Sequence, residues 1–155
     1  YIKWIIRGFN EGGLTAYMLH LFYGEAEERG YSSLVAWTPS GEIILPKRYY
    51  SLKHFANLVK PGYRRISTSL TGANMFVVAF KSPNDEKVIL QIFNQGIENN
   101  ISIDVIPGSK SIQHIITSDN KGEDFISKNH YSPDKNYFNL NVPSMSMNSI
   151  VFNLN

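Results

Sequence analysis

Tyr17, His20, Tyr23 and Trp37 are the side chains best suited to holding a polar ligand. Tyrosine and tryptophan pair a flat apolar face with one polar tip. His20 interrupts the apolar run LTAYMLHLFY, where its ring either serves a ligand or is satisfied by a core neighbour. Tyr17 and Phe22 read equally well as packing groups, whereas Tyr23 stands at the edge of the next loop. Trp37 precedes Thr38-Pro39, as a platform in a loop or as the cover of a small core.

The carboxylates offer less. Glu11, Glu25, Glu27, Glu28 and Glu42 lie in polar stretches or beside turns and read as solvated surface groups. An acid/base pair needs one carboxyl with a raised pKa, and hence burial that the segment GEAEERG does not offer. No residue is assigned a catalytic role. The histidines at 20, 54, 114 and 130 show no paired ligand spacing and cysteine is absent, so no metal site is expected. Without a G-x-S-x-G, a Walker loop or a dinucleotide fingerprint, neither a serine nucleophile nor a cofactor is called for.

These groups sit in a chain of 155 residues, 43% apolar and 13% aromatic, enough to bury a core. The net charge of +2 comes from scattered Lys and Arg, which leaves no footprint for nucleic acid. No apolar run reaches the roughly 18 residues of a membrane span. The chain opens on Tyr1 and enters a helical pattern at once, which reads as a cut chain.

Two parts are expected, 1–62 and 63–155. In the first, Ile2, Ile5, Ile6 and Phe9 repeat at helical period until Gly12-Gly13, giving a helix over 1–11. Leu14 to Tyr23 reads as a strand buried on both faces, as in a parallel sheet. Short strands follow at Ser33 to Trp37 and Glu42 to Leu45, and a second helix runs from Arg48 to Val59, ended by Pro61-Gly62. Beyond Gly62 the period becomes two, predicting strands at 63–69, 75–80, 87–93, 101–106, 112–117, 137–142 and 149–154. The fold class is therefore mainly β: an antiparallel β-sandwich of about seven strands preceded by a partial α/β segment.

The words AYMLHLFYG and RYYSLKHFANLVKPGYRRI resemble glycoside hydrolase family 30, in which a (β/α)8 barrel ends in a buried strand beginning Ala-Tyr, a loop, and a helix leading into a β-sandwich. Tyr49, His54, Phe55, Val59, Lys60, Pro61 and Gly62 fill the places of that helix motif. Further on, MFVVAFKSPNDEKVILQIFNQG and PSMSMNSIVFNL are similar to sandwich strands of the family.

The resemblance implies that residues 1–62 carry the last barrel strand and helices, and that the two catalytic glutamates of a retaining glycosidase, about 5 Å apart, lie upstream of Tyr1. It implies a β-linked polysaccharide or glycoside as substrate and an extracellular or periplasmic location. Tyr17, His20, Tyr23 and Trp37 then become candidate sugar contacts, His20 standing where the family commonly has tryptophan. The arginines with which the glucuronoxylan-cutting subgroup holds a uronate are replaced by Tyr23-Gly24, so glucuronate specificity is not expected. A barrel-facing apolar side of Leu14 to Tyr23 would need a missing N-terminal barrel segment or self-association to cover it. The rival expectation is a stand-alone carbohydrate-binding or structural sandwich, whose binding face would draw on Tyr131, Tyr137 and Phe138.

Overall fold

Alternating apolar residues after Gly62 do form a sandwich. A computed structural model of the chain describes residues 1–19, 22–25, 33–70 and 74–155. In the second part β4 (Arg64–Ile66), β5 (Met75–Lys81), β6 (Lys87–Asn94), β7 (Asn99–Asp104), β8 (Ser111–Thr117), β9 (Asp124–Tyr131), β10 (Tyr137–Val142) and β11 (Ser146–Asn153) all pair antiparallel. One sheet has six strands in the order β4-β5-β6-β11-β8-β9, and the other is the two-stranded ribbon β10-β7.

Val88 and Ile92 of β6, Ile112 of β8, and Ile150 and Phe152 of β11 point from the large sheet toward Ile103 of β7 and Phe138, Leu140 and Val142 of β10. These residues are buried and form the inter-sheet core. Period-two alternation thus forecast most of these strands, while the faces they bury follow from how the two sheets pack.

Strand β9 escaped the sequence reading. Its residues DFISKNHY are mostly exposed and polar, because it is the outer strand of the large sheet. An edge strand has one neighbour and little to bury, so its hydrophobic period fades. Its pairing with β8 is also broken by two register shifts, and Phe125 takes a positive φ of 59° beside them.

The opposite face of the large sheet carries helices α1 (Ile2–Asn10) and α2 (Lys47–Leu58). Ile2, Ile5 and Ile6 of α1 and Phe55 of α2 are packed with Val78 and Phe80 of β5 and Met147 of β11. Sequence alone makes Trp4 a packing residue. The helix turns it outward instead, 61% exposed, with the cations of Lys3 and Arg7 over its ring, because the stripe 2, 5, 6 consumes the sheet-facing side.

Helix α2 leaves through Lys60-Pro61 to Gly62, whose φ is +88° and where an added Cβ would stand 3.1 Å from Cγ of Pro83. Gly62→Ala is therefore expected to cost about 1–2 kcal/mol, readable as a lowered urea midpoint with an unchanged slope.

A third, small sheet lies in the N-terminal part: β1 (Tyr23–Glu25) runs parallel to β2 (Val35–Trp37), which pairs antiparallel with β3 (Ile43–Ile44). The parallel pair fits an α/β segment. The expected buried strand over 14–23 is corrected, since 14–19 form no strand, Leu14, Tyr17 and Met18 are exposed, and pairing starts only at Tyr23. A continuous apolar run signals burial on both faces, whereas Leu14, Tyr17 and Met18 are exposed among the described residues. Residues 20 and 21 lie outside the described residues.

Candidate functional site

The parallel register brings two of the predicted ligand contacts together. Tyr23 pairs with Val35 and Glu25 with Trp37, so Tyr23 and Trp37 are diagonal neighbours on one face of the small sheet. Their ring centroids are 5.5 Å apart with planes inclined at 36°, and Tyr23 is 63% exposed. Beneath them Ala36 and Leu34 are buried. The turn after Trp37 is tied by Thr38, whose N–H donates to Glu42 O and whose carbonyl accepts from Gly41 N–H, while its Oγ1 accepts from Glu42 N–H. The pair is thus an inclined aromatic surface on a strand scaffold, able to receive the apolar face of a flat ring and to donate one phenolic hydrogen bond.

The other predicted contacts are not joined to it by the described residues. Tyr17 lines a separate cavity of about 500 Å³ together with Phe9, Phe55, Val59 and Tyr63. His20 lies outside the described residues, as do Glu27, Glu28 and Arg29. The placement of Trp37 beside Tyr23 could not be read from sequence, because it depends on strand register across a nine-residue gap.

No described carboxylate with a shifted pKa is poised as an acid. Glu11 is held below the usual range by its hydrogen bonds from Arg7 and by that residue's charge. Burial pushes the Glu123 carboxyl up, but hydrogen bonds from Lys128, Ser118 and Asn120 outweigh it and hold the group below its ordinary value. Both are therefore ionised near neutrality, the reverse of what a general acid requires. Among the described residues no three His, Asp or Glu side chains are grouped to hold a metal ion.

Several apolar side chains of the first part are exposed: Met18 93% and Ile43 71%, with Leu14, Phe22 and Leu45 also open to solvent. Helix α2, in contrast, is locked to the large sheet by polar chemistry. His54 is fully buried, with Nδ1 2.5 Å from Ser149 Oγ and Nε2 3.0 Å from Thr117 Oγ1. Gln91 completes the set: its Nε2 donates to the His54 carbonyl at 2.9 Å and its Oε1 accepts from Ser149 Oγ at 2.6 Å. These contacts tie α2 to β11, β8 and β6 of the large sheet.

No profile of a known protein family matches the sequence. The glucuronoxylanase XynC of Bacillus subtilis is 29% identical over 151 residues, a match covering 92% of this chain and 31% of that protein. The glycoside hydrolase family 30 subfamily 8 xylanase Xyn30A from Clostridium acetobutylicum shares the fold over 97% of this chain and 37% of its own, with a TM-score of 0.75 and 21% identity. The catalytic domain of the GH30 xylanase C from Talaromyces cellulolyticus does so over 78% of this chain and 27% of its own, with a TM-score of 0.65 and 20% identity. The chain spans about a third of the length of the curated relative it matches. The likeness to family 30 carried by the helix motif therefore holds across nearly the whole chain.

Proposed function

We propose that this chain, a relative of the family 30 glycoside hydrolases, is the C-terminal part of a retaining β-glycosidase or endo-glycanase, in which residues 63–155 brace a catalytic barrel and residues 1–62 supply its end. The observation that carries this reading is the match to a curated glucuronoxylanase over 92% of this chain and 31% of that protein. Exposed apolar side chains in the first part, among them Leu14, Met18, Phe22 and Ile43, agree with it, since apolar groups of this kind suit a surface that another segment covers, and a preceding barrel segment is a cover of the right chemistry. For the chain by itself, self-association serves the same end.

In this reading the sandwich holds α2 in place through His54, Ser149 and Gln91, and α2 in turn holds the last barrel strand. The catalytic glutamates belong to the preceding segment. The substrate is a β-linked polysaccharide, with xylan the first candidate because the curated relative is a glucuronoxylanase. Tyr23 and Trp37 stack on a sugar ring, His20 donates a hydrogen bond to it, and Tyr17 packs behind them. Since Tyr23-Gly24 occupy the place of uronate-binding arginines, glucuronate side chains are not required. The enzyme acts outside the cell or in the periplasm.

The rival, a free-standing carbohydrate-binding sandwich, loses its best surface. Phe138 is buried and stacked on Tyr131 at 4.1 Å, which leaves Tyr137 as the exposed ring of that late cluster.

Expression of the whole reading frame beside residues 1–155 tests the proposal, with reducing ends released from xylan with and without glucuronate as the readout. The long protein is expected to cut both substrates with retention of configuration, and residues 1–155 neither. Within the long protein, Trp37→Ala is expected to lower kcat/KM by about 10–100-fold, a loss of roughly 1.4–2.7 kcal/mol of binding in the transition state. Unchanged kcat/KM would remove the aromatic pair from the site, and a long protein inert on β-glycans would sink the hydrolase reading.

A further inference from the structure

Helix α2 begins where the small N-terminal sheet ends, and the sandwich grips that junction. Lys47, the first residue of α2, follows β3 after only Leu45 and Pro46. A link of that length holds the Cα atoms of Ile44 and Lys47 within about 11 Å of each other. Pro46 stiffens it with a φ of −70°, and its carbonyl accepts Tyr49 N–H at 2.8 Å. Strand β3 in turn pairs Ile43 with Trp37 and Ile44 with Ala36. The position of Lys47 therefore limits where Trp37 stands.

The Lys47 ammonium lies against the turn between β8 and β9. It donates to Asn120 O at 3.3 Å and to Glu123 O at 3.4 Å, and Asp124 Oδ1 stands 2.7 Å away. That turn is itself held closed. The Glu123 carboxylate accepts from Ser118 Oγ, Asn120 Nδ2 and Lys128 Nζ, and Ser118 N–H donates to Glu123 O at 3.0 Å. The side chains of Lys47 and Asp124 are 39% and 36% exposed, and an ion pair screened to that degree adds little to stability. What three converging acceptors do supply is a fixed place for the ammonium.

We infer that Lys47 is a positioning residue of the substrate site, through which the β8–β9 turn of the sandwich sets the placement of Trp37 against Tyr23. Lys47 itself touches no sugar. Its effect passes through Leu45-Pro46 and β3 to the aromatic pair, so the sandwich governs how firmly a sugar ring is held rather than how fast its bond breaks. An aromatic surface remote from the reacting atoms offers the same contact to substrate and to transition state, and loosening it raises KM while kcat stays.

The kinetic consequence rests on the hydrolase reading proposed above, and the geometry is tested apart from it. In residues 1–155 bearing Trp4→Phe, Trp37 is the remaining tryptophan. Acrylamide quenching of its emission is expected to rise about twofold with Lys47→Met and with Asp124→Ala and to stay native with Lys47→Arg, while the urea midpoints of all three stay close to native. In the long protein, Lys47→Met is expected to raise KM about 3–10-fold and to leave kcat within about twofold. With Trp37→Ala already present the same change should add nothing, because residues acting through one contact are not additive. Unchanged quenching in Lys47→Met overturns the inference whatever the activity of the long protein. So does a urea midpoint that falls together with the change in quenching, which would make Lys47 a stabilising group instead. An active long protein in which the Lys47→Met and Trp37→Ala losses add in full overturns it as well. Raised quenching in residues 1–155 beside an inert long protein would sink the functional proposal and leave the link from Lys47 to Trp37 standing.

Discussion

His54→Ala is expected to lower the unfolding free energy by about 3–5 kcal/mol at pH 7, the sum of a cavity and orphaned polar partners. Ser149 Oγ gives its proton to Gln91 Oε1, so it accepts from His54 Nδ1–H. Thr117 Oγ1 accepts from Phe125 N–H at 2.9 Å and stands 3.0 Å from Nε2, to which its own proton donates when the ring is neutral. Burial, and then the nearby His114, push its pKa down to about 3 from an ordinary 6.5.

A base whose folded pKa is depressed contributes stability that is complete above the unfolded pKa and is lost as pH falls toward the folded one. The window here is pH 6.5 to 3, with a slope approaching about 1.4 kcal/mol per unit. Burial lowers His114 as well, its hydrogen bond with Asn148 opposing and the charge of Lys128 reinforcing, so it adds in the same direction. Urea midpoints at pH 7, 6 and 5 check this. The native chain should lose about 2 kcal/mol by pH 5 through His54, and His54→Gln should show a clearly shallower decline. Identical slopes would mean that His54 does not titrate in this way.

The second large effect is expected at Asn94. Its Nδ2 stands 2.8 Å from Ile97 O, 3.2 Å from Val142 O and 3.0 Å from Pro143 O, while its Oδ1 accepts Gly96 N–H at 2.8 Å. This one carboxamide ties the end of β6 to the exit of β10, across the two sheets. Asn94→Asp keeps the shape but turns a charged oxygen toward carbonyl oxygens in a site that is 1% exposed. It is expected to cost about 3–4 kcal/mol at pH 7, more than the truncation Asn94→Ala, because a buried charge without a donor costs more than a missing bond. Thermal melts of the two variants at pH 7 decide the order. An Asp variant as stable as the native chain would mean that a proton or water repairs the site.

Much of the fold was legible. Helices α1 and α2 and most sandwich strands follow from local period and from the stops at Gly12-Gly13 and Pro61-Gly62, since each buries one face and the period records which. Two of the misses have opposite causes. The edge strand β9 buries too little to leave a pattern, and the run Leu14 to Tyr23 carries an apolar pattern although Leu14, Tyr17 and Met18 are exposed among its described residues. At the site, Tyr23 and Trp37 were legible as residue types and not as a pair.

The sequence by itself determined that this chain is mainly β and that its likeness runs to family 30, because alternation, turn residues and the helix motif are local properties. Only the tertiary structure decided that His54 is the neutral link between α2 and β11, that Tyr23 and Trp37 touch, and that β10 is the strand β7 pairs with. Each of these depends on strand order and register between residues far apart in the chain, and no local period encodes that.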